Sequence, residues 1–234
     1  MKVMHNNINN MNVYWQALGA KSEGGYFINH TWPNKIWSAN LSLDLNEQSK
    51  LLNAGQSLMT VDVISEDELA TSPVVLKGQL VMMDLDLTTG SNATPSQTDL
   101  SKQGRAIVQV EDQAQADLWT EACSKAFNYQ IDKDAIRQFI QDENSFVLAL
   151  TIDGEIAATA IGYLTGDTLG IHQVGTVPDF RKQGAAAQLM HYLLEIAVEK
   201  SCTTVSLQAS KAGFHLYQKL GFNQVGTLTS LKLA

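Results

Sequence analysis

The chain has 234 residues, is 44% hydrophobic and 17% charged, and carries a formal net charge of -8. That hydrophobic share supports a packed core and excludes wholesale disorder, while the acidic balance argues against a nucleic-acid or membrane partner, because phosphate surfaces demand basic ones. The two cysteines, Cys123 and Cys202, lie far apart without a CxxC spacing, which argues against a disulfide framework or a bound metal and fits a reducing compartment.

The opening stretch MKVMHNNINNMNVYW lacks an apolar core long enough for a signal peptide. No run approaches the ~20 apolar residues of a membrane helix, so a cytoplasmic protein is expected. Trp32-Pro33-Asn34-Lys35-Ile36-Trp37 reads as an aromatic-rich loop that packs the two halves together or, failing that, forms a substrate wall. Leu41, Leu45 and Leu52 allow an amphipathic helix. Ser57–Ile64 and the alternating Leu80–Leu87 read as strands. Thr88 to Gly104, rich in Ser, Thr, Gly, Gln and Asn, reads as a linker. The expected organisation is therefore a smaller N-terminal α/β domain at 1–88, a linker at 89–104, and a second domain at 105–234.

After the linker the elements follow one another clearly. A strand at Arg105–Val110 precedes a helix capped by Asp112 and running to about Phe127, then a helix capped by Asp132. Phe146–Ile152 and Glu155–Leu164 form a hairpin about Asp153-Gly154, a strong two-residue turn signal. Leu169–Thr176 is a strand, Lys182–Lys200 a long helix with Leu189, Leu193, Ile196 and Ala197 on one face, and Thr203–Leu207 a strand. A short helix at Ala212–Leu220 and a strand at Val225–Leu233 close the chain. This order implies a mixed α+β fold, a mixed central sheet with helices on both faces.

The chemistry concentrates in Val174-Gly175-Thr176-Val177-Pro178-Asp179-Phe180-Arg181-Lys182-Gln183-Gly184-Ala185-Ala186-Ala187. A strand ends, Pro178 breaks it, and a helix begins beside a glycine flanked by small residues. Unpaired amides and the helix dipole then face outward, with no bulky side chain to keep a phosphate away. No GK[ST] follows, so this is not a nucleoside-triphosphate loop, and the glycines are too few for a dinucleotide fingerprint.

Arg181-Lys182-Gln183-Gly184-Ala185-Ala186 resembles motif A of the GNAT (Gcn5-related N-acetyltransferase) family, with its pattern Arg/Gln-x-x-Gly-x-Gly/Ala. Leu207-Gln208-Ala209-Ser210 and Leu216-Tyr217-Gln218-Lys219-Leu220-Gly221-Phe222 resemble its motif B at the expected distance. The resemblance covers about residues 105–234 and implies a GNAT-like sheet and an acetyl-CoA-dependent N-acetyltransferase acting on a small-molecule or protein amine. It implies that the amides from Lys182 to Ala187 hold the pyrophosphate, while Val174, Gly175 and Thr176 pair with the pantetheine arm like an added strand. Ser210 stands where many relatives carry an asparagine that contacts that arm. Tyr217 matches a tyrosine near the cofactor sulfur, placed to protonate the departing thiolate. His172 matches one of a pair of active-site histidines in a family member, the other position being Gly170 here. It is a candidate base or substrate contact.

No nucleophile elbow, carboxylate pair or metal-ligand cluster is present, so direct attack of the amine on the thioester is the simplest mechanism. The competing reading is a non-catalytic acyl-CoA sensor; a longer-acyl transferase on the same fold is a third. Leu76–Met83 loosely echoes the run after Leu220, so the N-terminal half resembles a degenerate copy of the same domain. It is expected to bind no coenzyme A, and to use Trp15, Trp32 and Trp37 to build part of the acceptor pocket. A monomer or homodimer is expected.

Overall fold

The computed structural model describes residues 2–89 and 104–234, so most of the expected linker lies outside the described residues. Among these residues, eleven strands form one mixed sheet: β1 (Lys21–Glu23), β2 (Tyr26–Ile28), β3 (Lys35–Trp37), β4 (Ser57–Thr60), β5 (Val74–Asp86), β6 (Arg105–Gln109), β7 (Ser145–Ile152), β8 (Glu155–Thr165), β9 (Thr168–Thr176), β10 (Thr204–Ala209) and β11 (Asn223–Leu233). Their order across the sheet is β1-β2-β3-β4-β11-β5-β10-β9-β8-β7-β6. The pairs β3–β4 and β9–β10 are parallel, and the others are antiparallel.

Among the described residues, seven α-helices flank the sheet: α1 (Lys2–Ala17), α2 (Leu45–Leu51), α3 (Glu66–Ala70), α4 (Gln113–Phe127), α5 (Lys133–Phe139), α6 (Ala185–Glu199) and α7 (Phe214–Lys219). Alternation along the strands sorts the core into two layers. Leu148, Leu150, Ala158 and Ala160 pack with Leu189, Leu193 and Ala197 of α6. Val147, Ala149, Ile161 and Tyr163 turn the other way, onto Met11 and Tyr14 of α1, Trp119 of α4 and Phe139 of α5.

Among the described residues, hydrogen bonding does not divide at the expected linker. Strand β5, from before it, lies between β10 and β11, from after it. Each half ends in the same sequence of elements: two parallel strands joined through a helix, then a short helix and a long strand. The final strands β5 and β11 are exchanged, so that β11 completes β4 and β5 completes β10.

Several elements depart from the sequence expectation. The Asn-rich start is a 16-residue helix, α1. Its Asn7 and Asn10 are fully buried. Asn7 Nδ2 donates to the Met83 and Leu207 carbonyls, and Asn10 Nδ2 to the Tyr163 carbonyl. The Trp32–Trp37 stretch ends in β3, and Trp32 and Trp37 are core residues. Helix α2 starts after Asp44, which is extended and caps it by accepting from the Glu47 amide, while Leu41, with φ 57, lies outside it. Helix α6 starts at Ala185, three residues late, because Lys182 and Gly184 have φ of 63 and 80, which no right-handed helix accepts.

Asp84 of β5 sits opposite Ser206 of β10. Its Oδ1 accepts from Asn7 Nδ2 at 2.7 Å, whereas Asp84 Oδ2 and Ser206 Oγ are buried without a partner. Burial raises the carboxyl pKa from 3.8 to about 6, against the opposing pull of the Asn7 bond. The folded chain thus holds this proton longer than the unfolded one. The contribution to stability is complete below the ordinary carboxylate range and is lost as pH rises through about 6. Asp84→Asn, which keeps an acceptor for Asn7 and removes the buried charge, is expected to raise stability at pH 8 by on the order of 2 kcal/mol and to have little effect at pH 4. Urea unfolding at both pH values checks this; a loss of stability at pH 8 contradicts it.

Candidate active site

Strands β9 and β10 pair from Thr168 and Thr204 as far as Ile171 and Leu207, then part, although β9 continues to Thr176 and β10 to Ala209. A bulge lies in β9 at the same place. The register with β8 slips between Thr159–Gly175 and Ile161–His172, and Gln173 takes φ 51. The Gln173 carbonyl accepts from Thr159 Oγ1 at 3.2 Å. A bulge re-aims side chains and interrupts the ladder, and a split between parallel strands leaves an edge on which an extended arm can lie.

A cavity of about 220 Å³ opens at this split. It is lined by Val174, Ser210 and Tyr217, which the sequence singles out, and by His172 and Gln173. The N-terminal half contributes Tyr14, Trp15, Lys35 and Leu80 to the same cavity. Of the three N-terminal tryptophans, Trp15 lines it, while Trp32 and Trp37 pack in the core.

A second hollow, of about 170 Å³, lies at the start of α6, lined by Thr176, Phe180, Lys182, Gly184, Ala185, Ala186, Ala187 and Leu216. Gly184 caps the helix without a side-chain bond, and the first intrahelical bond runs from the Gln188 amide to the Gly184 carbonyl. The amides of Ala185, Ala186 and Ala187 therefore have no partner inside the helix. A Cβ on Gly184 would meet nothing within 4 Å, so the approach is open. These residues fit a pyrophosphate: a 15-residue helix points its amides and the positive end of its dipole at the hollow.

The remaining motif residues support this loop from outside the hollow. Arg181 Nη2 donates to the Ala126 carbonyl at 3.1 Å and its Nε to the Thr176 carbonyl at 3.3 Å, tying the loop to α4 and β9. Gln183 Nε2 donates to the Asp179 carbonyl. Gly175 lies under Phe127, where a Cβ would come 2.6 Å from Cε2. Ser210 Oγ accepts from the Gly213 amide, steadying the turn into α7.

His172 is buried and its ring is stacked on Tyr14, with centroids 3.8 Å apart. Asn10 Nδ2 donates to the Tyr163 carbonyl and Thr165 Oγ1, so Asn10 Oδ1 faces His172 and Nε2 carries the proton at 3.0 Å. Burial, then the nearby Lys35 charge, lowers the ring pKa to about 3. His172 is thus neutral at physiological pH and too weakly basic to keep a proton taken from an amine. Gly170 has its own reason to be glycine: a Cβ there would collide with Asn10 Oδ1.

Gln173 was not visible in the sequence as a site residue. Its Oε1 accepts from Tyr129 Oη at 3.2 Å and lies 3.7 Å from the Cys123 sulfur, which turns its amide nitrogen away from both. Burial pushes the Cys123 thiol up to about 12 and also raises that of Cys202, so neither is a thiolate nucleophile near neutrality.

The family model "Acetyltransferase (GNAT) family" matches residues 111–222. The [ribosomal protein bS18]-alanine N-acetyltransferase of Salmonella typhimurium is 30% identical over 132 residues, covering 55% of this chain and 78% of that protein. The chain belongs to the GNAT family. The Escherichia coli enzyme of the same description is 29% identical over 87 residues, a match that spans only 59% of its length. Among solved structures, a GCN5-related N-acetyltransferase from Kribbella flavida has a TM-score of 0.68 at 16% identity, covering 97% of this chain and 95% of that one. A GNAT-family acetyltransferase from Novosphingobium aromaticivorans has a TM-score of 0.67 at 14% identity, covering 97% and 98%. These two share the fold over nearly the whole chain, including the residues before the linker. As a GNAT protein, the chain is an N-acetyltransferase, from a family of enzymes that transfer an acyl group from a coenzyme A thioester to an amine. No helix among its described residues is long and apolar enough to cross a membrane.

Proposed function

We propose that this GNAT protein transfers the acetyl group of acetyl-CoA to a small amine by direct attack on the thioester, without an acyl-enzyme. The observation that carries this reading is one cavity at the β9–β10 split that joins Val174 and Tyr217 of the family motifs to residues of the N-terminal half. The open amides of Ala185–Ala187 would hold the pyrophosphate, with Arg181 and Gln183 keeping their loop in place. The freed edge of β9 at Val174–Thr176 would align the pantetheine arm. Acetyl-CoA supplies an activated acyl group, so the chain's own task is orientation and charge stabilisation.

Tyr217 is suited to donate to the departing sulfur, because burial pushes its phenol up to about 12 and keeps it protonated. His172 is suited to orient the acceptor rather than to act as a base. The amine would enter neutral: a buried cavity that already holds the Lys35 charge disfavours an ammonium.

The exchanged strands support reading residues 1–88 as a reduced copy of the same domain that binds no coenzyme A. Helix α2, the counterpart of α6 in the strand order, has its N-terminus filled by its own chain. The Asp44 carboxylate accepts from the Glu47 amide, and Glu47 adds a second negative charge in the first turn. An anion is therefore excluded where α6 would accept one.

Isothermal titration and a thiol-release assay with a panel of amines test the proposal on the full chain. The expected result is one coenzyme A per chain and thiol release that requires an amine. Two coenzyme A molecules per chain would contradict the reading of the N-terminal half. Tight binding without amine-dependent release would favour the sensor over the enzyme.

A further inference from the structure

Lys35, the first residue of β3, pairs with Ser57 of β4 and extends its side chain into the cavity at the β9–β10 split. Its Nζ lies over the face of Trp15, 4.8 Å from the ring centroid, a cation–π contact that supplies no counter-charge. Its hydrogen-bond partner is the Met59 sulfur at 3.6 Å, a weak acceptor. No carboxylate pairs with Lys35 among the described residues, although Lys50, Lys133 and Arg137 on the surface all have one. The chain has 24 acidic residues and a net charge of -8, so a counter-charge would be easy to supply. A half-buried cation without one carries a desolvation cost that a partner arriving from outside would offset.

The rest of the cavity agrees. His172 is neutral, and Gln173, Tyr129 and Gln208 are uncharged, so the field is that of one lysine. Such a field repels polyamines and other cationic acceptors and favours an anion. At about 220 Å³, shared with the thioester end, the cavity lies below the ~300–1,000 Å³ of drug-sized ligand sites, so the acceptor is small. Burial, then the like charge of Lys77, lowers the Lys35 pKa to about 8, which leaves it mostly protonated at neutral pH and ready to be reinforced by an anionic ligand.

Building on the acyl-transfer reading above, we infer that Lys35 anchors a carboxylate of the acceptor, making the substrate a small amine that also carries a carboxylate, as amino acids do. The amine nitrogen then faces the thioester while the carboxylate is held at the far end, and the lysine fixes the distance between them.

The test is steady-state acetylation by the full-length protein, using α- and ω-amino acids of increasing length, the carboxamide of each, and a polyamine. The wild type is expected to prefer the carboxylate compounds over their carboxamides by at least tenfold in kcat/KM. One chain length should be best, and the polyamine should not be used. Lys35→Met, which keeps an unbranched side chain of similar length without the charge, is expected to reduce that preference at least tenfold, mainly through KM. Lys35→Gln is the second variant should Lys35→Met fold poorly, and coenzyme A titration reports whether each is folded. Equal use of carboxamides or of the polyamine by the wild type overturns the inference, as does an unchanged preference in a folded Lys35 variant. If no amine drives thiol release although coenzyme A binds, the acyl-transfer reading itself falls, and this inference with it.

Discussion

Gly184→Glu is expected to weaken coenzyme A binding by at least about a hundredfold, which corresponds to ~2.7 kcal/mol. Two effects combine. A Cβ at Gly184 projects into open space, the same opening through which a pyrophosphate must approach the amides of Ala185–Ala187. A glutamate there also carries its own carboxylate to those amides and repels an incoming phosphate. Hydrogen bonds to charged groups contribute ~1.5–3 kcal/mol each, so the loss of two is enough for the predicted effect. Because Gly184 has φ 80, any side chain also strains the loop, by roughly 1–2 kcal/mol. Gly184→Ala separates strain from blockage: it is expected to lower the melting temperature similarly while binding coenzyme A much better than the glutamate variant. In the wild type, acetyl-CoA at a hundredfold excess over Kd adds ~2.7 kcal/mol of stability, and Gly184→Glu should lose that shift. An unchanged titration in a folded Gly184→Glu protein would remove the cradle from the mechanism.

Much of the second half was legible because its signals are local. Asp112 and Asp132 cap α4 and α5 as their sequence positions suggest, accepting from the Gln115 amide and from the Asp134 and Ala135 amides. Asp153 and Gly154 both adopt positive φ, as the hairpin turn requires. The first half was harder to read because its order is set by distant partners. Asn is a poor helix former and a frequent cap, so the Asn-rich start gives no helix signal. What makes α1 a helix is its tertiary role, since Asn7 and Asn10 satisfy carbonyls of β5, β8 and β10. The exchange of β5 and β11 is likewise invisible in local pattern, because two half-buried strands read alike whichever neighbour they pair with.

The same division runs through the site. The proposed phosphate cradle is readable in sequence because its chemistry is that of the backbone and needs only small residues in one short segment. The cavity at the β9–β10 split also draws on Tyr14, Trp15, Lys35 and Leu80, more than 90 positions away from His172, and single-chain spacing cannot bring them together. His172 shows the limit of residue type as a guide. Its ordinary pKa suits a base, and its burial beside Lys35 takes that capacity away.

Tyr217→Phe is expected to lower turnover by ~10²–10⁴-fold, the usual contribution of a positioned proton donor, while coenzyme A binding stays close to that of the wild type. The ring is held independently of its hydroxyl. It packs edge-on against Phe222, with centroids 6.1 Å apart, and lies against Gly213, where a Cβ would come 2.9 Å from Cε2. No hydrogen bond to the Tyr217 hydroxyl occurs among the described residues, so its removal should leave stability nearly unchanged. A phenol near 12 does not surrender its proton freely to a thiolate with an ordinary pKa near ~8.5. Its effect would lie in donating to the sulfur while the bond to carbon lengthens, with its proton replaced by the one the attacking nitrogen loses as the amide forms. The loss should therefore fall on kcat, with little change in the acceptor KM, and should be smaller for thioesters whose leaving thiol is more acidic. Equal turnover by wild type and Tyr217→Phe would assign protonation of the sulfur to water and leave Tyr217 as a wall of the cavity.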